Sequence, residues 1–254
     1  MSRHVNRRTV LRRAVLITAG TAIGTQLVSP TAHGAGRATD PEALRRAVRQ
    51  AQQEARERTA RISTGVPSKN GWDMEKVADD RGHIHTRPVP GTPLDGIQVR
   101  MGDAETILVH VVRRFHYEID ELRRGDVVGW RHPHTVRKGL AESNQASGTA
   151  VQIRPLWYPS GARNGFFPEQ LVVVRDILAE LDGVVRWGGD DRKADESLFY
   201  LAVPPGDKHL ARVAARVRAW QAAPGEGAGA PVDVRSRKRR SAAKSLERRQ
   251  RSAA

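Results

Sequence analysis

Ser143-Asn144-Gln145-Ala146-Ser147-Gly148-Thr149-Ala150-Val151-Gln152-Ile153 is the stretch on which the reading of this chain turns. Its second half, Thr149 to Ile153, predicts a strand, and Pro155 closes it because proline has no amide to give a ladder. Gly148 leaves the backbone free to take conformations closed to other residues. The polar positions Gln145 and Gln152 are the ones whose chemistry has to be explained.

The surroundings alternate strands and helices. Upstream, Ile97 to Met101 alternates like a short strand. After Gly102-Asp103, the residues Ile107, Leu108, Val111, Val112, Phe115 and Ile119 recur at helical spacing. His110 and His116 lie on that helix and are expected to be packed and hydrogen-bonded. Val127-Val128-Gly129-Trp130-Arg131 reads as a buried strand ending in an arginine. Downstream, Phe167-Pro168-Glu169 opens a helix with Leu171, Val172, Val174, Ile177, Leu178 and Leu181 on its buried side. Strands follow at Val184 to Trp187 and Leu198 to Val203, then a helix from about Asp207 to Trp220.

Before this block, Thr39-Asp40-Pro41-Glu42 is a helix start, with Leu44, Ala47, Val48, Ala51 and Ala55 at helical spacing up to about Ile62. Residues 63–95 are rich in Gly, Pro and charge and are expected to be irregular. They hold His83 and His85, which would share a face if they lay on a strand; two surface-loop histidines are the plainer reading. After Ala222 comes Pro-Gly-Glu-Gly-Ala-Gly-Ala-Pro and then a basic run, Arg235 to Arg251, without apolar periodicity. That composition predicts disorder over 223–254.

The net charge of +15 over 254 residues suggests a nucleic-acid binder, but its distribution argues otherwise. Residues 1–35 hold five arginines and no acid, and residues 235–254 hold nine Lys/Arg and one acid. The remaining middle of the chain is therefore nearly neutral, and no nucleic-acid partner is expected for it. With no cysteine, disulfides, thiolate catalysis and cysteine-bound zinc are excluded.

Asn6-Arg7-Arg8-Thr9-Val10-Leu11-Arg12 resembles the twin-arginine export signature, and an uncharged stretch from Ala14 to Val28 follows it. Residues 1–36 are read as a signal peptide cleaved between about Ala32 and Arg37, the alternative being an uncleaved anchor. Export would leave a secreted chain with no stable membrane span. A basic tail would there meet anionic wall polymers or lipid headgroups.

Three motifs in consistent order carry a family resemblance. Gly129-Trp130-Arg131 resembles Gly-Tyr-Arg. Ser143 to Ile153 resembles Ser-x-His-x-x-Gly-x-Ala-x-Asp-Ile. Trp187-Gly188-Gly189-Asp190-Asp191 with Asp195-Glu196-Ser197-Leu198-Phe199 resembles Trp-Gly-Gly-Asp-x…Asp-x-x-His-Phe. Together they resemble the D-alanyl-D-alanine carboxypeptidase (VanY-like) family of zinc peptidases. That family includes L-alanyl-D-glutamate endopeptidases and shares the hedgehog/DD-peptidase fold.

The resemblance implies an α+β fold over residues 97–222, a small antiparallel sheet packed with helices in a single domain, preceded by a helix and irregular loop over 37–96. In such enzymes two imidazoles and a carboxylate hold zinc, and the fourth position takes a water that the metal acidifies. The resemblance puts the general base at Asp195 and the charge-stabilising arginine at Arg131. Its three ligand positions fall on Gln145, Gln152 and Leu198. A Gln carbonyl suits calcium or magnesium better than zinc, and Leu has no donor atom. No metal and no other cofactor is therefore expected, and His132 and His134 are the only nearby imidazoles that could stand in. Without metal, Asp195 and Glu196 would form an acidic pair within reach of Arg186 or Arg192.

The function expected is that of an exported, catalytically degenerate relative of these peptidases that binds cell-wall peptide, peptidoglycan or a partner without cutting it. The alternatives are an active metallopeptidase with non-standard ligands and a surface module attached by its basic tail.

Overall fold

The apolar spacing of residues 103–118 builds the central element. Ile107, Leu108, Val111, Val112 and Phe115 are fully buried along one side of helix α2 (Asp103–Glu118) in the structure, a computed structural model that describes residues 41–252. Burial of each such side chain stabilises by roughly 1.5–3 kcal/mol. The chain divides at Ala47; of the part before it only Pro41–Ala47 is described, as the first turns of α1 (Pro41–Ile62). The Thr39-Asp40 helix start and the export signature with its cleavage region lie outside the described residues. The rest of the described fold belongs to Val48–Ala254. There the continuing stripe of Val48, Ala51 and Ala55 is exposed, and Ile62 is the buried residue of α1.

The architecture is α+β, with six α-helices and small antiparallel sheets among the described residues. Residues 63–95 are more ordered than their composition predicts. β1 (Ser63–Pro67) pairs with β2 (Asp73–Glu75), and β3 (Ile84–Arg87) pairs with β4 (Ile97–Arg100), both antiparallel. These strands are too short to print a period-two signal, and the buried Met74 and Ile84 that anchor them stand alone in polar sequence. His85 lies on β3 and bonds the Gly82 carbonyl, whereas His83 precedes the strand and bonds Glu75, so the two histidines do not share a site.

The main sheet has the order β5 (Val127–Val128), β6 (Ala150–Ile153), β8 (Leu198–Leu201), β7 (Val185–Trp187), antiparallel throughout. Because side chains alternate, the sheet has two distinct faces. Val151, Ile153, Phe199, Leu201, Val185 and Trp187 enter the large core with α2, α4 (Pro168–Glu180) and α5 (Lys208–Ala222). The register pairs Ala150 with Tyr200, Gln152 with Leu198 and Arg186 with Tyr200, so these residues take the opposite face. β5 stops before Trp130, whose amide donates to the Gln98 carbonyl of β4 instead.

The expectation of a disordered C-terminal segment is corrected. Arg237–Ser252 forms a sixteen-residue helix, α6, packed along α4. Its inward side consists of Arg239, Ala243, Leu246 and Gln250, a mostly polar stripe that leaves no apolar period to read. The helix is held by tertiary partners: Arg239 donates to Asp176 at 2.6 Å and to Glu180 at 2.9 Å, and Gln250 Nε2 donates to the Val185 carbonyl at 3.0 Å. A helix of this length has little stability alone, so docking decides whether it forms. Among the described residues no helix is long and apolar enough to cross a membrane.

Candidate functional site

The stretch Ser143–Ile153 becomes one helical turn, α3 (Ser143–Ala146), a glycine corner, and β6. Gly148 sits at φ +68°, and a Cβ there would approach the Arg100 amide nitrogen to 2.7 Å. Only glycine meets both demands, and the close approach lets Arg100 N donate to the Gly148 carbonyl at 2.8 Å. The small polar residues of the stretch are stitches. Ser143 Oγ accepts from Lys69 N, Asn144 Oδ1 from Asn70 N, and Thr149 Oγ1 from Asn70 Nδ2, while Ser147 Oγ meets Ser68 Oγ. They fasten the loop after β1 beside the sheet.

Gln145 and Gln152 belong to one polar cluster. Gln145 is fully buried, and its Nε2 donates to the carbonyls of Gly129 at 3.0 Å and Val128 at 3.3 Å. Val128 is the cross-strand partner of Gln152 on β6, and Leu198 is the partner of Gln152 on β8. Gln152 Nε2 donates to Asp195 Oδ2 at 2.9 Å, and Asp195 Oδ1 accepts from Ser197 Oγ at 2.5 Å and Ser197 N at 3.2 Å. Two segments more than forty residues apart, one with Gln145 and Gln152 and one with Asp195 and Leu198, thus come together at one end of the sheet. The loop that carries Asp195 is pinned by Asp195 N donating to the Gly188 carbonyl and Trp187 Nε1 donating to the Glu196 carbonyl. A Cβ at Gly188 would stand 2.5 Å from the Asp195 carbonyl oxygen, so the loop closes only over glycine.

The zinc implied by the resemblance does not fit these residues. Gln145 and Gln152 are neutral carboxamides whose oxygens suit hard cations better than zinc, Leu198 has no ligating atom, and among the described residues no three His, Asp or Glu side chains converge as a ligand set. His132 and His134 stack on each other with ring centroids 4.9 Å apart and do not line the cleft. Nor is there an Asp195–Glu196 pair on an arginine. Asp195 takes Gln152 and Ser197, whereas Glu196 accepts from the backbone amides of Asn164 and Gly165.

Around Asp195 and Leu198 lies a cleft of about 510 Å³. Its apolar floor is Ala141, Leu198 and Tyr200, which cluster with Ala150. Its rim carries Lys69, Arg137, Arg186, Arg192 and Lys193 against Glu142, Asp191 and Asp195, an excess of positive charge. Arg137 is occupied by a two-pronged pair with Glu142 at 2.6 Å, and the Tyr200 hydroxyl donates to Asp191 at 2.9 Å. Lys69, Arg192 and Lys193 have no side-chain partner among the described residues. Asn144 Nδ2 and Arg186 Nε lack acceptors too, but both atoms are enclosed behind the wall. The cleft therefore offers positive charge to an anion.

Electrostatics separate its two inner acids. Burial pushes the Asp195 carboxyl above the ordinary value; the donors Ser197 and Gln152 offset this in part, and the charge of Glu142 adds to it. Glu142 goes the other way, held below the usual range by the Arg137 hydrogen bond against its own burial, with a weaker contribution from Arg131. Arg131 thus reaches the site only through its charge on Glu142; it does not line the cleft. Sequence reading missed Glu142, Lys69, Asn70 and Tyr200. Only Tyr200 had a signal, since it lies two residues beyond Leu198 on the same strand and so shares its face.

Compared with protein-family models, with curated proteins and with solved structures, the chain matches none.

Proposed function

We propose that this chain is an exported binding protein built on the D-alanyl-D-alanine carboxypeptidase (hedgehog/DD-peptidase-like) fold, metal-free and non-catalytic, whose cleft holds an acidic wall peptide. The observation that carries this reading is the convergence of Gln145, Gln152, Leu198 and Asp195, positions picked out by the resemblance alone, on one end of one sheet. The ligand class follows from the cleft: a positive rim favours a carboxylate, and the apolar floor favours small side chains such as alanine. Asp195 has no metal-bound water to serve. Its part is to hold Gln152, and through β6 the shape of the floor.

The test is calorimetric titration of the full chain with a peptide ending in D-Ala-D-Ala, with and without added zinc, while free alanine is assayed. Saturable binding without alanine release is expected, weakened about tenfold by Arg192→Ala with Lys193→Ala, the loss of roughly 1.4 kcal/mol. Stoichiometric zinc in the purified chain, or zinc-dependent release of alanine, would make it a peptidase instead. A companion variant examines the ancestry of the frame. Gln145→His, Gln152→Asp and Leu198→His together should bind one zinc; failure in a folded variant would remove the resemblance.

A further inference from the structure

α6 has two sides of different chemistry. Arg239, Ala243, Leu246 and Gln250 turn inward, and the helix is fixed there by ion pairs to Asp176 and Glu180. On the outside, Arg237, Arg240, Lys244 and Arg248 are exposed and follow one another at intervals of three and four residues, which places them in a single stripe. With a rise of 1.5 Å per residue the stripe runs for about 16 Å, so successive charges stand roughly 5 Å apart. None of the four side chains has a hydrogen bond or an ion pair among the described residues, whereas neighbouring Arg251 is paired with Glu247 at 2.9 Å.

We infer that α6 is a docking surface for a linear phosphodiester polymer without bases, of the polyol-phosphate kind found in cell walls. Four cations in a straight, rigid row match a chain of regularly spaced phosphates, and the match is one of charge alone. What the helix lacks narrows the partner further. A lipid surface would be held by charge alone, without the added anchoring of large apolar side chains in the headgroup boundary, because the outer side of α6 carries Arg, Lys, Ser and Ala; vesicles therefore enter the experiment as a competitor. A single-stranded nucleic acid would be held by aromatic side chains stacking on bases, and α6 has no aromatic residue. The ordered helix also separates this surface from a flexible basic tail: fixed charges meet the polymer without the cost of ordering a disordered segment. None of the four cations lines the cleft, so this surface and the cleft's ligand can fail independently.

The experiment measures binding of the full chain to fluorescently labelled poly(glycerol phosphate), with oligodeoxythymidylate of equal charge and phosphatidylglycerol vesicles as competitors. Neutralising four phosphates predicts affinity falling about 50-fold between 50 and 200 mM salt, using the single-strand slope. Arg240→Gln with Lys244→Gln, on the stripe, should weaken binding at low salt about tenfold. Lys238→Gln with Arg249→Gln, off the stripe, should change it less than about threefold. Gln is nearly as good a helix former as Arg or Lys, and circular dichroism is to check that both variants keep the helix. Equal losses from the two pairs, binding unchanged by the stripe variant, or tighter binding of the oligonucleotide or the vesicles would each overturn the assignment.

Discussion

Two buried polar clusters in this molecule are built to opposite rules. Between α2, α4 and α6, Arg114 is 1% exposed and meets Glu118, Asp176 and Glu180, while Glu180 also takes His110 and Arg239. Every carboxylate there has a cation. Burial alone would raise the Glu180 carboxyl, but the His110 hydrogen bond and the charge of Arg114, with Arg239 added, hold it well below the carboxylate range. At the cleft, Asp195 is buried with a neutral carboxamide and a hydroxyl, and its carboxyl moves up. Gln145 Oε1 and Asn144 Nδ2 nearby have no partner. The first cluster reads as structural because its charges are compensated, although His110 Nδ1 within it lacks a partner. An under-satisfied one retains capacity for a ligand, at a cost of about 1–3 kcal/mol per orphaned group in its absence.

The largest effect should come from the charge-compensated cluster. Arg114→Ala takes the cation from Glu118 and one of the partners from each of Asp176 and Glu180, and is expected to destabilise by about 3–5 kcal/mol in urea unfolding. A loss below 1 kcal/mol would show that the cluster does not hold the helices together. Arg239→Ala removes only the contribution of α6 and should cost about 1–3 kcal/mol, while amide exchange along 237–252 accelerates and exchange in the main sheet stays slow.

The pH response gives a smaller and sharper test. Glu180 has a depressed folded pKa, so its stabilisation is fully present above its ordinary value of 4.5 and is lost as pH falls below it. The stability advantage of the wild type over Glu180→Gln should therefore shrink on acidification from pH 5 to pH 3. Asp195 has a raised folded pKa, so its contribution is fully present below 3.8 and declines as pH rises through the folded value. Asp195→Asn should then be slightly more stable than the wild type at pH 7, the smallest change of the set. If it is less stable, Asp195 is held as firmly as Glu180, and the contrast between the clusters disappears.

The legible part of this fold is the part whose signal is local. α2, α4, α5 and the strands at 97, 150, 185 and 198 follow from apolar periodicity, and all appear within a few residues of where the spacing puts them. The site was half legible. Of the positions the resemblance singled out, Gln152 bonds Asp195 and pairs with Leu198 across the strands, Gln145 bonds the carbonyls of Val128 and Gly129, and Arg131 is not among the residues that line the cleft. Lys69 and Asn70 had no signal, because a loop residue joins the cleft only through hydrogen bonds to Ser143, Asn144 and Thr149, more than seventy positions away.

By itself the sequence determined the order of the main helices and strands from residue 97 to 222 and the burial of α2, since an apolar side chain seeks burial whatever covers it. The tertiary structure alone decided what the polar residues do. Arg239 looks the same in a disordered tail as in a docked helix, and Ser147 the same in a catalytic motif as in a stitch. A polar group takes its role from its partner, and here the partners come from distant segments: Asp176 and Glu180 for Arg239, Ser68 for Ser147, Asp195 for Gln152.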